Sequence, residues 1–477
     1  MTTTTNTLHP QGEEKMFDQQ DNSRSVEVET YDGKLFIEWD RQATVTPLGQ
    51  LPFFIQFLKL GSRFKPWVND CPLHYSSPNA PKKVNVLGAL FLSILSGHNR
   101  YAHMTALLND GVNSPLLGMD KVVSDDSARR GLKKMPETSG IVWLQSHLQS
   151  SYEHWLTSDW ILDIDVTVKP LLGRQQGAEV GYNPHKPGRP SHTYHTYMMA
   201  NLRLLLDVEV QAGNQGHAND SAPGLLNLLE RLPKDGQPHF VRGDCDWGSG
   251  PIMDALDAIG MDYLFKLKKT KHVKNWLYKH HSLGGWQQTK TGWEAKEDHL
   301  QLKSWSCSRR VVIVRRRLKK DHTLLIEKPC QGQQPLVFIE EAEDFKLFEY
   351  AVLITALDSE VVSIVQHYRD RADCETVFDE IKNQWDWGGY TTHDSKSCRF
   401  MARMIGLIDN GWRLFVRLIN PEGQGHQEAI TSRPLLLTSV GRLTQSGRQK
   451  RMTMTSHHGK SEKIRALFLQ ANDFLIN

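Results

Sequence analysis

Tyr368, Arg371, Glu375 and Lys382 recur at intervals of three, four and seven in YRDRADCETVFDEIK. At about 100° per residue these side chains fall within roughly 60° of one another on a helix, in one polar seam. Val361, Val365 and Ala372 border the seam on one side and Cys374, Phe378, Ile381 and Trp385 on the other, so it occupies the face that packs inward. An ion pair of Arg371 with Glu375 accounts for the spacing alone, at about 0.3–0.5 kcal/mol on a solvated helix. The sharper reading is a metal-binding carboxylate whose cationic neighbours grip a phosphodiester, and it requires two more carboxylates upstream.

Both are present, each in a strand-like run. TSDWILDIDVTVKP is rich in aromatic and β-branched residues and carries Asp163 and Asp165. A charge in such a run is costly unless a cation meets it. HFVRGDCDWGSGP runs from strand-like residues into Gly243 and Asp244, and Gly250 and Pro251 then open a helix. Asp244 is thus expected at a strand terminus, facing the crevice where open α/β sheets place their ligands.

The chain resembles a DDE transposase of bacterial insertion sequences, in the group whose signature is Tyr, two residues, Arg, three residues, Glu, six residues, Lys. Tyr368, Arg371, Glu375 and Lys382 match it at every position. The group's first aspartate precedes any residue and Thr, as in Asp165, Val166 and Thr167, and its second ends a strand, as Asp244 does. Asp163 and Asp246 are the neighbouring alternatives, and Asp165 and Asp244 are preferred. The likeness continues through GYNPHKPGRPSHTYHTY, DYLFKLKKTKHVK, MARMIGLIDNGWRLFVRL and ITSRPLLL, over residues 30 to 460.

The resemblance implies an α/β fold: a ribonuclease-H-like catalytic core interrupted by an all-β insertion, with a helical N-terminal domain and a helical C-terminal region. It makes Asp165, Asp244 and Glu375 catalytic, holding two divalent ions about 4 Å apart. Hard oxygen ligands favour Mg²⁺ or Mn²⁺, with no organic cofactor. Arg371, Lys382 and Tyr368 would grip the element's end. Hydrolysis would free a 3′ hydroxyl, which then attacks the opposite strand or target DNA. The implied partners are double-stranded DNA (terminal inverted repeats and target) and a second copy of the chain, as a homodimer on paired ends. A ribonuclease-H-like nuclease and a transposase-derived DNA-binding protein are the rival readings.

Charge is segregated: residues 262 to 330 hold 17 Lys and Arg against 6 Asp and Glu, and residues 431 to 477 hold 8 against 2. Such clusters beside a phosphodiester site favour a nucleic-acid partner. No apolar run reaches the roughly 18 residues of a membrane span, and MTTTTNTLHPQGEEK lacks a signal-peptide core, so a cytoplasmic protein is expected, and the resemblance implies a bacterial, nucleoid-associated one. Six cysteines without CxxC spacing suit reduced, structural thiols.

The expected organisation is a flexible or partly ordered segment (1–47), a helical DNA-binding domain (48–155), the catalytic domain (156–269 and 350–390), a β-rich insertion (270–349) and a helical C-terminal region (391–477). In SDDSARRGLKKM, Ser124 or Asp125 caps a helix, and both a helix-turn-helix-like reader and an ordinary amphipathic helix fit. The insertion's strands are expected in DHLQLKSW, RRVVIVRRR, HTLLIEK and PLVFIE. Arg315, Arg316 and Arg317 are candidates for phosphate contact, and Trp293 and Trp305 for base stacking, although a strand tryptophan is more often core. KPGRP suits a surface loop better than a minor-groove hook. His192 and His195, three apart on a strand, point to opposite faces and make no metal pair.

Overall fold

Alternation along one strand separates the two faces on which the molecule is built. The computed structural model describes residues 25–40, 42–156, 159–183, 186–289, 292–318, 345, 347–420, 427–456 and 459–476. Its strands are β1 (Val26–Thr30), β2 (Gly33–Ile37), β3 (Val45–Thr46), β4 (Ile161–Pro170), β5 (Glu179–Val180), β6 (Pro190–Met199), β7 (Leu204–Ala212), β8 (Phe240–Gly243), β9 (Tyr263–Lys266), β10 (Gln287–Gln288), β11 (Glu294–Leu300), β12 (Arg309–Arg317), β13 (Phe348–Thr355), β14 (Gly441–Ser446) and β15 (Gln449–Met454). On β4, Leu162 and Ile164 enter a core shared with two helices, α7 (Ala218–Arg231) and α8 (Gly250–Ala258). Ile161, Asp163 and Asp165 therefore face the opposite side, as the period of two requires.

The helices before these are α1 (Leu51–Leu60), α2 (Phe64–Asp70), α3 (Lys83–Leu95), α4 (Asn113–Leu116), α5 (Asp125–Lys134) and α6 (Glu137–Tyr152). After α8 come α9 (Lys271–His280), α10 (Val361–Arg369), α11 (Ala372–Asn383), α12 (Ser395–Ile419), α13 (Ala429–Leu437) and α14 (Ser461–Ile476). Ser124 caps α5, its side chain accepting from the Ser127 N–H. The N-terminal helices bury Phe54, Leu90 and Trp143 in one core with Trp385 and with Phe400, Trp412 and Phe468 of the C-terminal helices. No helix among the described residues is long and apolar enough to cross a membrane.

One mixed sheet of ten strands runs β10-β11-β12-β13-β9-β8-β4-β6-β5, with β7 also on β6. β4 pairs antiparallel with β6, and β6 with β7, while β4–β8 and β8–β9 are parallel. The register sets Asp163 opposite Arg242. Two residues further on, Asp165 lies on the same face of β4 as Asp163, and Asp244 follows the end of β8 by one residue, near enough for its charge to act on Asp165.

Three expectations change. The segment expected to be all-β opens with α9, where Thr270 caps the helix through the Val273 N–H and Val273, Trp276 and Leu277 follow helical spacing. Its strands β10 to β12 extend the main sheet through β13. HTLLIEK and PLVFIE lie outside the described residues. The C-terminal region is not wholly helical, because GRLTQSGRQKRMTM forms the β14–β15 hairpin, turning at Gly447 with φ +60°. That backbone favours glycine at the first turn position. Lastly, the polar seam does not lie on one helix: the chain breaks at Asp370 and Arg371, between α10 and α11.

Candidate active site

Buried charge has to find a counter-charge, and the two aspartates of β4 find different ones. Asp163 is fully buried and bidentate with Arg242, Nε to Oδ1 at 2.6 Å and Nη2 to Oδ2 at 2.7 Å. Arg242 also donates to the His367 carbonyl, which ties β8 to α10. Asp165 lies where this pairing ends. Its side chain is 23% exposed; it meets Arg371, Nη2 to Oδ1 at 3.4 Å, and the Val166 N–H.

Asp165, Asp244, Asp246 and Lys382 line one cavity of about 410 Å³. Burial pushes the Asp165 carboxyl up to about 6; Arg371 opposes this, and Asp244 and Glu375 add to it. Asp244 is likewise raised by burial, against the hydrogen bond its Oδ1 accepts from the Asp246 N–H at 2.9 Å. Asp246 is ion-paired to Lys268. Of the alternatives present in the sequence, then, Asp163 is sealed in a structural pair and Asp246 has its own cation.

Tyr368, Arg371 and Glu375 line a second pocket with Trp293 and Lys266. Arg371 bridges the two spaces, since its Nη1 also reaches Glu375 Oε1 at 2.9 Å. Its guanidinium is 7% exposed and its Nε has no hydrogen-bond partner. The Glu375 side chain is 65% exposed. Burial pushes the Tyr368 hydroxyl up to about 12, so the phenol stays protonated at neutral pH. The expected helical ion pair of Arg371 with Glu375 therefore exists, and the same arginine also serves the acid on β4.

Among the described residues, no three His, Cys, Asp or Glu side chains stand together as a metal-holding group. Asp165 and Asp244 nevertheless suit a hard cation in kind: both are desolvated carboxylates, the charge of Asp244 raises Asp165, and a divalent ion would reverse that penalty. Glu375, turned onto Arg371, does not stand with them.

The border residues divide. Val361, Val365, Cys374, Phe378, Ile381 and Trp385 are buried as expected, but Ala372 is exposed. Trp305 is core, 6% exposed, because it packs with Leu300 and Val311 beneath the sheet. It offers no face for base stacking. Arg315 is also spoken for: it pairs with Glu294 at 2.6 Å and stacks over Trp286 at 3.7 Å. Arg316 pairs with Glu349 at 3.0 Å across the strands, and Arg317 is exposed. His192 and His195 are bound separately, to the Gln176 and Gln215 carbonyls.

Sequence reasoning missed the cleft's other wall. Lys186 of KPGRP lines the same cavity as Asp165 and Asp244, and so does Asn183. Asn183 is 5% exposed; its Oδ1 accepts from the Lys186 N–H at 3.1 Å, and its Nδ2 has no partner among the described residues. The signal was the basic composition of a loop that otherwise looked like plain surface. Arg242 was half-visible, as the cation that a charge on β4 demands.

Fold and site together define a mixed α/β protein with a carboxylate-lined cleft walled by cations. Residues 82–472 match the family described as Transposase DDE domain group 1, and the chain belongs to that family. The chain is also similar to a solved piggyBac transposase in a synaptic complex with hairpin DNA, at 12% identity and a TM-score of 0.43, over 92% of this chain and 82% of that one. No curated protein matches.

Proposed function

We propose that the protein is a cut-and-paste transposase of a bacterial insertion sequence, cleaving DNA strands at the element's ends and transferring the freed 3′ ends to target DNA. The observation that carries this reading is the meeting of Asp165 on β4 and Asp244, one residue past the end of the neighbouring parallel strand β8, in one cleft that Lys382 and Lys186 also line. The order β7-β6-β4-β8-β9, antiparallel over its first three strands and parallel over its last three, supports a ribonuclease-H-like core, with β10 to β12 as the insertion.

Asp165 and Asp244, joined by Glu375 once it turns from Arg371, would hold two divalent ions, Mg²⁺ or Mn²⁺, whose chemistry when bound is activation of the attacking oxygen and stabilisation of the leaving one. Arg371 positions Asp165 and Glu375 and, with Lys382, holds the phosphate. Tyr368, a protonated phenol, donates to the same backbone, and Trp293 beside it offers a face to an unstacked base. From the opposite wall Lys186 adds charge and Asn183 a free amide donor. Because two ends must be cut together, a homodimer on paired duplex ends is the assembly this reading requires, acting on DNA in the cytoplasm.

Glu375→Gln tests the reading. In magnesium the variant should retain duplex binding at moderate salt and lose strand cleavage, and normal nicking would refute the assignment. Oligonucleotides separate the nearest rival: a transposase joins a 3′ end to a second duplex, whereas a nuclease only shortens it.

A further inference from the structure

Resting on the DNA reading, we propose that the β14–β15 hairpin is a second nucleic-acid contact, an arm that holds the phosphate backbone of duplex DNA away from the catalytic cleft. Residues 441–454 contain Arg442, Arg448, Lys450 and Arg451 and no Asp or Glu. Among the described residues none of these four side chains makes a hydrogen bond or ion pair. The strand register gathers Arg442, Thr444 and Ser446 on one face with Gln449, Arg451 and Thr453. All six are exposed. That face is therefore made wholly of phosphate-binding residue types: two guanidiniums, three hydroxyls and an amide.

The other face carries Leu443 and Met452, half-buried, with the exposed Gln445 and Lys450. The root is held as well, with Gly441 and Arg442 pairing with Thr46 and Val45 of β3, and Ser439 Oγ donating to the Thr455 carbonyl at 3.1 Å. The turn residue Arg448 is carried to the tip, about 20 Å from the root at roughly 3.3 Å per residue. A two-stranded ribbon fits the major groove of B-DNA, about 12 Å wide. Arg442 and Arg451 are diagonal neighbours, roughly 7 Å apart. No acid offsets their repulsion within the hairpin, and a polyanion would. None of the hairpin's residues lines the cleft or the pocket beside it.

Salt dependence of duplex binding, measured on the full chain in chelator so that no strand is cut, tests the assignment. The probe is a linear duplex of mixed sequence, read by fluorescence anisotropy. Removing one cation from a phosphate lowers the slope of log K against log salt by about 0.9. Arg442→Gln, Arg448→Gln and Arg451→Gln together should flatten the slope by roughly 3. Arg448→Gln alone, at an exposed turn where no fold is at stake, should flatten it by about 1. Exchanging Arg for Lys at all three positions should leave it as in the wild type. An unchanged slope in both glutamine variants, with the wild type binding normally, overturns the hairpin's role and leaves the transposase reading intact. A wild-type chain that fails to bind duplex DNA at any salt overturns both.

Discussion

Asp163 and Asp165 stand on one strand and one face, and each meets an arginine. The Asp163–Arg242 pair is bidentate, dry and closed. Asp165–Arg371 is a single longer contact at a cleft wall, shared with Glu375 and weakened by the neighbouring Asp244. A buried, fully matched ion pair is costly to break by removing one partner; partly matched carboxylates at an opening keep capacity for another cation. Two positions along β4 thus separate a closed ion pair from one left open to a further cation.

The comparison breaks most visibly if the closed pair is opened. Arg242→Ala strands a buried carboxylate and should cost about 3–5 kcal/mol in urea unfolding. Asp165→Asn removes a carboxyl already raised by its surroundings and should cost nothing, while abolishing strand cleavage. Equal losses of stability from the two substitutions would show that the two pairs serve the same purpose.

The strands bearing the two aspartates were legible because composition and alternation are local: β4 and β12 fall on WILDIDVTV and RRVVIVRRR, and β8 on FVRGD. The cap of α5 was equally plain at Ser124. What escaped depends on contacts distant in sequence. Nothing in RDRAD breaks a helix: it has neither Pro nor Gly, yet α10 ends at Arg369, beside the contact of Arg371 with Asp165, two hundred residues earlier. Arg315 looked free because Glu294 and Trp286 come from other strands or loops. The β14–β15 hairpin was a different failure. Its alternation around Gly447 is written in the sequence but masked by the density of basic residues.

A buried histidine gives a second contrast with Asp165, of opposite sign. His195 is fully buried between the Gln215 carbonyl and Ser221, and burial lowers its pKa from 6.5 to about 4. Between those values the unfolded chain takes up a proton that the folded chain refuses. Stability should therefore fall as pH drops from about 6.5 to about 4, by as much as roughly 3 kcal/mol for this group. His195→Gln should lose that component, so the gap between wild type and variant in urea midpoints should narrow steadily as pH falls from 7 to 5. A gap independent of pH would mean that His195 titrates alike in both states.

Arg315 and Arg317, two apart on β12, carry the contrast between closed and open charge to its smallest scale. Arg315 is held by Glu294 and stacked between Trp286 and Phe348. Arg317 is exposed at the strand's end. Arg315→Ala should cost about 1–2 kcal/mol, from a partly buried pair and its ring contacts, with no change in the salt slope of DNA binding. Arg317→Ala should leave the urea midpoint within about 0.5 kcal/mol of wild type. If it touches backbone phosphate, the slope should flatten by about 1. The reverse pattern, Arg315 governing the slope and Arg317 the stability, would mean that pairing within the fold does not withdraw an arginine from DNA.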